Sequence, residues 1–293
     1  MSWQQVSLEV APEHSDGVEA VMEALGAISI TLADAADAPL LEPAPGEQPL
    51  WPRVEVTALF DAEADLADLP AALHRSIGGP DPPRVTLTLL ADQPWERAWL
   101  DDFQAMRFGD DLWIVPSGCA APDPDAINLH FDPGLAFGTG THPTTALCLN
   151  WLAATPPVGQ RVIDYGCGSG VLAVAALRLG AREVVAVDND PQALVASEAN
   201  AERNGVSDGL TLLHADEPMP AAASLVVANI VSGVLIANAG RLAGLVERPG
   251  GRLILAGVLG DQVAGVEEAF GPAFMFHREP GPEGWFRLDG RAV

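Results

Sequence analysis

The 293-residue chain contains no lysine, and all fifteen of its basic residues are arginine. The absence excludes the phosphate-gripping lysine of a P-loop, a Schiff-base lysine and a lysine general base. Positive charge of any kind is scarce: forty acids face those fifteen arginines, for a formal net charge of −25. Binding a polyanion needs clustered cations, so this balance argues against a nucleic-acid partner. It favours a basic partner instead. Adaptation to salt, or a biased genome, would produce the same overall acidity, and the two readings are compatible. Cysteine is sparse as well. Cys119, Cys148 and Cys167 are odd in number and scattered, which fits neither a disulfide framework nor a zinc site and points to a reducing, cytoplasmic setting. No apolar run is long enough to span a bilayer, and the N-terminus lacks the basic-then-apolar layout of a signal peptide. His14, His74, His130, His214 and His277 show no metal-ligand pairing, and no metal is expected.

What is present begins with Val162-Ile163-Asp164-Tyr165-Gly166-Cys167-Gly168-Ser169-Gly170. Two β-branched apolar residues predict a short strand buried on both faces. The glycines predict a turn without bulky side chains, whose backbone can press against a ligand. Leu172, Ala175, Ala176 and Leu179 fall on one face of a helix from about Val171, with Gly180 as its stop. A second strand, 183–187, leads to Asp188, about 20 residues past the middle glycine. That is the spacing at which a carboxylate reaches a ribose hydroxyl in nucleotide-binding α/β folds. The glycine pattern is G-x-G-x-G, with Val171 where a dinucleotide fingerprint needs its last glycine. An adenosine-type ligand without a pyrophosphate seat fits better.

The remaining chain separates into two parts. Residues 1–91 predict the order β-α-β-β-α-β of a ferredoxin-like α+β domain: strands 6–10, 27–32, 53–57 and 84–88, helices 13–25 and 63–77. Residues 1–70 hold fourteen acids and one base, Arg53, which makes a solvated surface or a docking face for a basic protein. Residues 92–107 predict a connector helix with Trp95 and Trp99 on one face. From 108 to 293 strands and helices alternate, including a helix over 234–245. The pattern predicts a doubly wound, mostly parallel sheet closed by a hairpin. Asp164, Asp188 and Asn229 each stand at the carboxyl end of a predicted strand, the rim where open α/β sheets bind ligands.

The turn D-Y-G-C-G-S-G with its downstream acid resembles motif I of class I S-adenosylmethionine-dependent methyltransferases. Asp132-Pro-Gly-Leu-Ala-Phe-Gly-Thr-Gly-Thr-His-Pro-Thr-Thr145 sharpens the likeness. With the W-x-x-x-W connector and L-W-I-V-P-S at 112–117, it resembles the methyltransferases of large-subunit ribosomal protein L11, the PrmA family, over essentially the whole chain. The resemblance implies S-adenosylmethionine as cofactor, with Gly166 and Gly168 letting the turn approach it. Asp188 would take the ribose hydroxyls, Thr145 would contact the cofactor, and Asn229 would sit beside the transferring methyl as both cofactor contact and catalytic residue. It also implies a monomeric cytoplasmic enzyme that methylates lysine side-chain or N-terminal amines of a basic ribosomal protein held by the N-terminal domain.

Other readings of these residues stay open. Asp164 could tie down the turn's own amides, Asp188 could cap a strand end, and Asn229 could be a turn residue. Thr145 could be a helix-cap hydroxyl. His142, before Pro143 at a helix start, reads as a structural loop residue rather than a base, and Cys167 as packing. The alternatives for function are a methyltransferase of ribosomal RNA or a small molecule, or an NAD-binding oxidoreductase.

Overall fold

A computed structural model describes residues 3–35, 50–78, 82–90, 104–116, 118–131 and 142–293. The expected connector over 92–103, with Trp95 and Trp99, lies outside them, as does 132–141 of the Gly/Thr-rich segment. The chain divides into two compact units, Met1–Trp99 and Leu100–Val293.

The first unit runs β1 (Trp3–Val10), α1 (Ser15–Ala24), β2 (Ser29–Asp34), β3 (Val54–Asp61), α2 (Leu69–Ile77), β4 (Thr86–Leu90). Its four strands form an antiparallel sheet in the order β2-β3-β1-β4. Strict alternation sets the core. Val54, Val56, Ala58 and Phe60 are buried along β3 and meet Val6, Leu8 and Val10 of β1, and Val18, Met22, Leu69 and Leu73 of the helices close the layer. The helix expected over 63–77 starts only at Leu69. The carboxylates of Asp61 and Asp65 take the N–H groups of Glu63 and Ala67, at 3.0 Å each, and hold that stretch in turns.

The second unit opens with β5 (Met106–Phe108), β6 (Leu112–Pro116) and β7 (Ile127–Phe131), in the sheet order β5-β6-β7. Met106 and Arg107 were expected to end a helix over 92–107, and they are strand instead. Gly109, at φ 58°, turns the chain so that they pair antiparallel with Ile114 and Trp113.

Next come α3 (Pro143–Ala154), β8 (Arg161–Tyr165), α4 (Val171–Arg178), β9 (Glu183–Asp188), α5 (Pro191–Arg203), β10 (Leu210–His214), β11 (Leu225–Asn229), α6 (Ser232–Ala237) and α7 (Ala239–Gly244). The chain ends with β12 (Arg252–Leu259), α8 (Val263–Phe270), β13 (Phe274–Pro280) and β14 (Trp285–Ala292). The sheet order is β10-β9-β8-β11-β12-β14-β13. The first five strands are parallel. β14 is antiparallel to both of its neighbours. The order reverses between β8 and β11, the switch point at which such sheets open a crevice.

Two cores flank this sheet. Val162, Val184, Ala186, Leu225 and Val227 face α3 and α4. Ile163, Val185, Val187, Val226 and Ala228 face α6, α7 and α8. Because strand side chains alternate, Asp164, Asp188 and Asn229 share the α3 side with the first set. Helix α4 is buried from Val171 to Ala176 rather than along one stripe, since α3, α5, β7, β8 and β9 surround it. The single helix expected over 234–245 is two short ones. Asn238 breaks it by turning its amide back on the Val234 carbonyl (2.9 Å) while accepting from the Tyr165 hydroxyl (3.3 Å).

Asp289 joins α3, β12 and β14. Its carboxylate accepts from Trp151 Nε1 at 3.1 Å and from Arg252 Nε and Nη2 at 3.3 and 2.5 Å. The guanidinium also lies over the Trp151 ring, 4.8 Å from its centroid. Asp289→Ala strands the indole N–H and should cost about 1–3 kcal/mol in urea denaturation; an unchanged midpoint would contradict a structural role for this cluster.

Candidate active site

The turn after β8 is held by its neighbours before any ligand arrives. Gly166, Gly168 and Gly170 all have left-handed backbones, at φ 78°, 53° and 77°. The Gly166 and Cys167 N–H groups donate to the Val187 carbonyl at 2.7 and 3.1 Å. The Gly168 N–H donates to Asp188 Oδ2 at 2.9 Å, while Asp188 Oδ1 accepts from the Asp190 N–H at 3.0 Å. Asp188 therefore ties its own loop to the glycine turn, and each oxygen keeps acceptor capacity on its other lone pair.

Asp164 does what α4 cannot do for itself. The cap residue of that helix is Gly170, which has no side chain to accept an orphan amide. Asp164 Oδ2 reaches from the strand below and accepts the Ala173 N–H at 3.0 Å. The carboxyl is 1% exposed, and its Oδ1 has no partner among the described residues. Burial pushes it up to about 7; the Ala173 N–H opposes that rise and the charge of Asp188 adds to it.

Helix α5 and its C-cap carry three buried polar residues, Ser197, Asn200 and Asn204. Ser197 Oγ donates to the Gly168 carbonyl (2.9 Å) and Asn200 Nδ2 to the Ser169 carbonyl (2.9 Å). One turn further, Asn204 pairs with β7 as a strand would. It accepts the His130 N–H at 2.8 Å and donates to the His130 carbonyl at 2.9 Å. Ser197 also fills the space that a Cβ at Gly170 would need, at 2.7 Å. Asp190 caps this helix by accepting the Gln192 N–H.

Thr145 is buried in the first turn of α3, and Asn229 ends β11. The structure brings them together, with Asn229 Nδ2 donating to Thr145 Oγ1 at 3.1 Å. That bond commits the amide nitrogen and leaves the amide oxygen free to accept. His142 is the N-cap of α3: its Nδ1 accepts the Thr144 N–H (3.3 Å) and its ring meets Trp285 edge-on at 5.1 Å. The structural role expected for it is what is observed. Cys167 is buried 3.4 Å from Ser197 Oγ, and burial pushes its thiol up, with Asp164 adding to the rise. Burial likewise pushes Cys148 up to about 12, whereas Cys119 is exposed. No group of His, Cys, Asp or Glu among the described residues could hold a metal ion.

All five expected site residues thus stand at one rim: Thr145, Gly166, Gly168, Asp188 and Asn229. Ser197, Asn200 and Asn204 were missed. Their signal was the polar repeat at i, i+3 and i+7 within an otherwise ordinary amphipathic helix.

The rim suits a cation with hydroxyl groups to offer. Asp188 can accept further hydrogen bonds, and the buried Asp164 presents an unpartnered oxygen. S-adenosylmethionine is such a molecule. Together with the sheet order, this defines a class I S-adenosylmethionine-dependent methyltransferase. The family model of ribosomal protein L11 methyltransferase (PrmA) matches residues 2–292. The ribosomal protein L11 methyltransferase of Pseudomonas paraeruginosa is 49% identical over 292 residues, 99% of both chains. That of Azotobacter vinelandii is 48% identical over 291 residues, also 99% of each. A crystal structure of ribosomal protein L11 methylase from Lactobacillus delbrueckii subsp. bulgaricus aligns with a TM-score of 0.59 at 29% identity, covering 65% of this chain and 99% of that one. The chain belongs to the ribosomal protein L11 methyltransferase family.

A carboxyl with a raised folded-state pKa binds more protons folded than unfolded, so its contribution to stability falls as pH rises through that window. Asp164→Asn keeps an acceptor for Ala173 and removes the charge. Relative to wild type, the variant should gain stability between pH 3.8 and about 7 and hold that gain above. Urea titrations across pH measure the difference; a pH-independent one would mean that Asp164 does not titrate in this range.

Proposed function

We propose that this protein transfers methyl groups from S-adenosylmethionine to lysine or N-terminal amines of a basic large-subunit ribosomal protein, the L11 for which its relatives are named. The contact between Asn229 and Thr145 carries the reading. It supports a neutral acceptor, the Asn229 side-chain carbonyl, held in a fixed direction at the strand tip.

A lysine amine has a pKa near 10.4 and arrives protonated at neutral pH. A carboxylate at the acceptor position would stabilise that ammonium, which has no lone pair to react. An amide oxygen can orient the neutral amine without favouring its charged form. The bound cofactor supplies a methyl on a sulfonium, already a good leaving group. What remains for Thr145, Asn229 and the glycine turn is alignment and exclusion of water. Gly166 and Gly168 would line the cofactor, and Asp188 would accept from its ribose hydroxyls while still holding the Gly168 amide.

Residues 1–91 form the substrate-holding domain in this proposal, and the connector ends before the strand that begins at Met106. The excess of acids over bases in residues 1–70 supports docking of a basic protein.

Two measurements follow. With purified L11 and radiolabelled cofactor, Asn229→Ala should lower kcat by about 100-fold and leave cofactor affinity within a few fold; full turnover would remove Asn229 from the reaction. Raising salt from low to physiological strength should raise KM for L11 and spare kcat, because screening weakens docking between exposed charges. A salt-independent KM would separate the acidity of the N-terminal unit from substrate binding.

A further inference from the structure

Ile230, the residue after Asn229, is seated between two glycines. A Cβ at Gly166 would lie 2.2 Å from Ile230 Cγ2. A Cβ at Gly257 would lie 2.4 Å from the Ile230 carbonyl oxygen and 2.8 Å from its carbonyl carbon. The two contacts differ in kind. Gly166 meets a side chain, which can rotate away; Gly257 meets main chain, which can yield only by moving the peptide itself.

Gly257 lies in a β-bulge. Leu255 pairs with Leu288 and Val258 with Phe286, so Ala256 and Gly257 together face Arg287 alone. The left-handed backbone of Gly257, at φ 81°, permits that extra residue. Ala256, the other residue of the bulge, is the ladder partner of Asn229. The irregularity in β12 therefore sits directly beside the end of β11. Regular pairing would need no glycine here, and any side chain at 257 would collide with the Ile230 carbonyl, one peptide beyond Asn229.

We propose that Gly257 is a positioning residue for methyl transfer: by leaving room for the Ile230 peptide group, it sets the height and aim of the Asn229 amide. The asparagine is then fixed from two sides, its side chain by Thr145 and the residue after it by the bulge. In this proposal Gly257 acts only through the residue that follows Asn229. The proposal rests on the role given to Asn229 above.

The test is Gly257→Ala together with Gly257→Asn, since asparagine tolerates a positive φ and isolates the steric effect of the Cβ from backbone strain. Both should lower kcat on L11 by about 100-fold, the cost of misplacing a reacting group by an ångström or so. Calorimetric affinity for S-adenosylmethionine should stay within about threefold of wild type, the split expected when only alignment is lost. Normal kcat in a folded variant overturns the proposal. So does a joint loss of cofactor affinity and kcat, which marks general damage. If neither variant folds, Ile230→Ala, which removes the side chain packed on Gly166 and so loosens the residue whose carbonyl the bulge seats, decides: slow turnover at unchanged affinity supports the proposal and full turnover overturns it. Asn229→Ala is run alongside. Normal kcat there discards the asparagine role and this proposal with it, whereas a slow Asn229→Ala beside a normal Gly257→Ala discards the proposal alone.

Discussion

The hydrogen bond from the Gly168 amide to the Asp188 carboxylate joins the tips of two neighbouring strands. A glycine turn with three left-handed residues has little conformational preference of its own, so its shape must come from outside. Asp188 supplies one fixed point and the Val187 carbonyl another. Ser197 and Asn200 supply two more from α5. The turn is thus held in shape by partners from β9 and α5. Its glycines leave room for the protein itself as well as for a ligand, because side chains at 166 and 170 would meet Ile230 and Ser197.

Much of this was legible in the sequence. The catalytic unit announces itself through short β-branched runs ending in Asp164, Asp188 and Asn229, because a parallel sheet buried on both faces leaves polar residues only at its rim. Alternation did the same for β1 and β3. Three features were not legible, each for a physical reason. Met106 and Arg107 follow a helix-like stretch, yet their conformation is decided by pairing across Gly109 with residues further along the chain. The break at Asn238 depends on the Tyr165 hydroxyl, which is remote in sequence. The bulge at Gly257 is invisible in an apolar run, since only the register against β14 reveals the extra residue. Of the site, the residue types and strand tips could be read, but not the bond between Asn229 and Thr145, which depends on how α3 lies across the sheet.

Electrostatics divides the labour within the rim. In the proposed reading Asp188 lies on the cofactor side, where negative charge suits a sulfonium, while burial raises the Asp164 carboxyl to about 7. In the same reading the group offered to the incoming amine is an uncharged amide. A chain with a formal net charge of −25 could readily have placed a carboxylate at that position. The neutral residue matches a nucleophile that must shed its proton before it reacts.

The three cysteines have unequal fates in the fold. Cys148 and Cys167 are buried, and burial raises both thiols well above their ordinary value, so neither offers a thiolate to an electrophile. Cys119 is exposed, in the stretch between β6 and β7. A maleimide dye or spin label added to the unaltered protein would therefore mark a single, known position in the catalytic unit, giving a spectroscopic reporter without engineering a cysteine-free background.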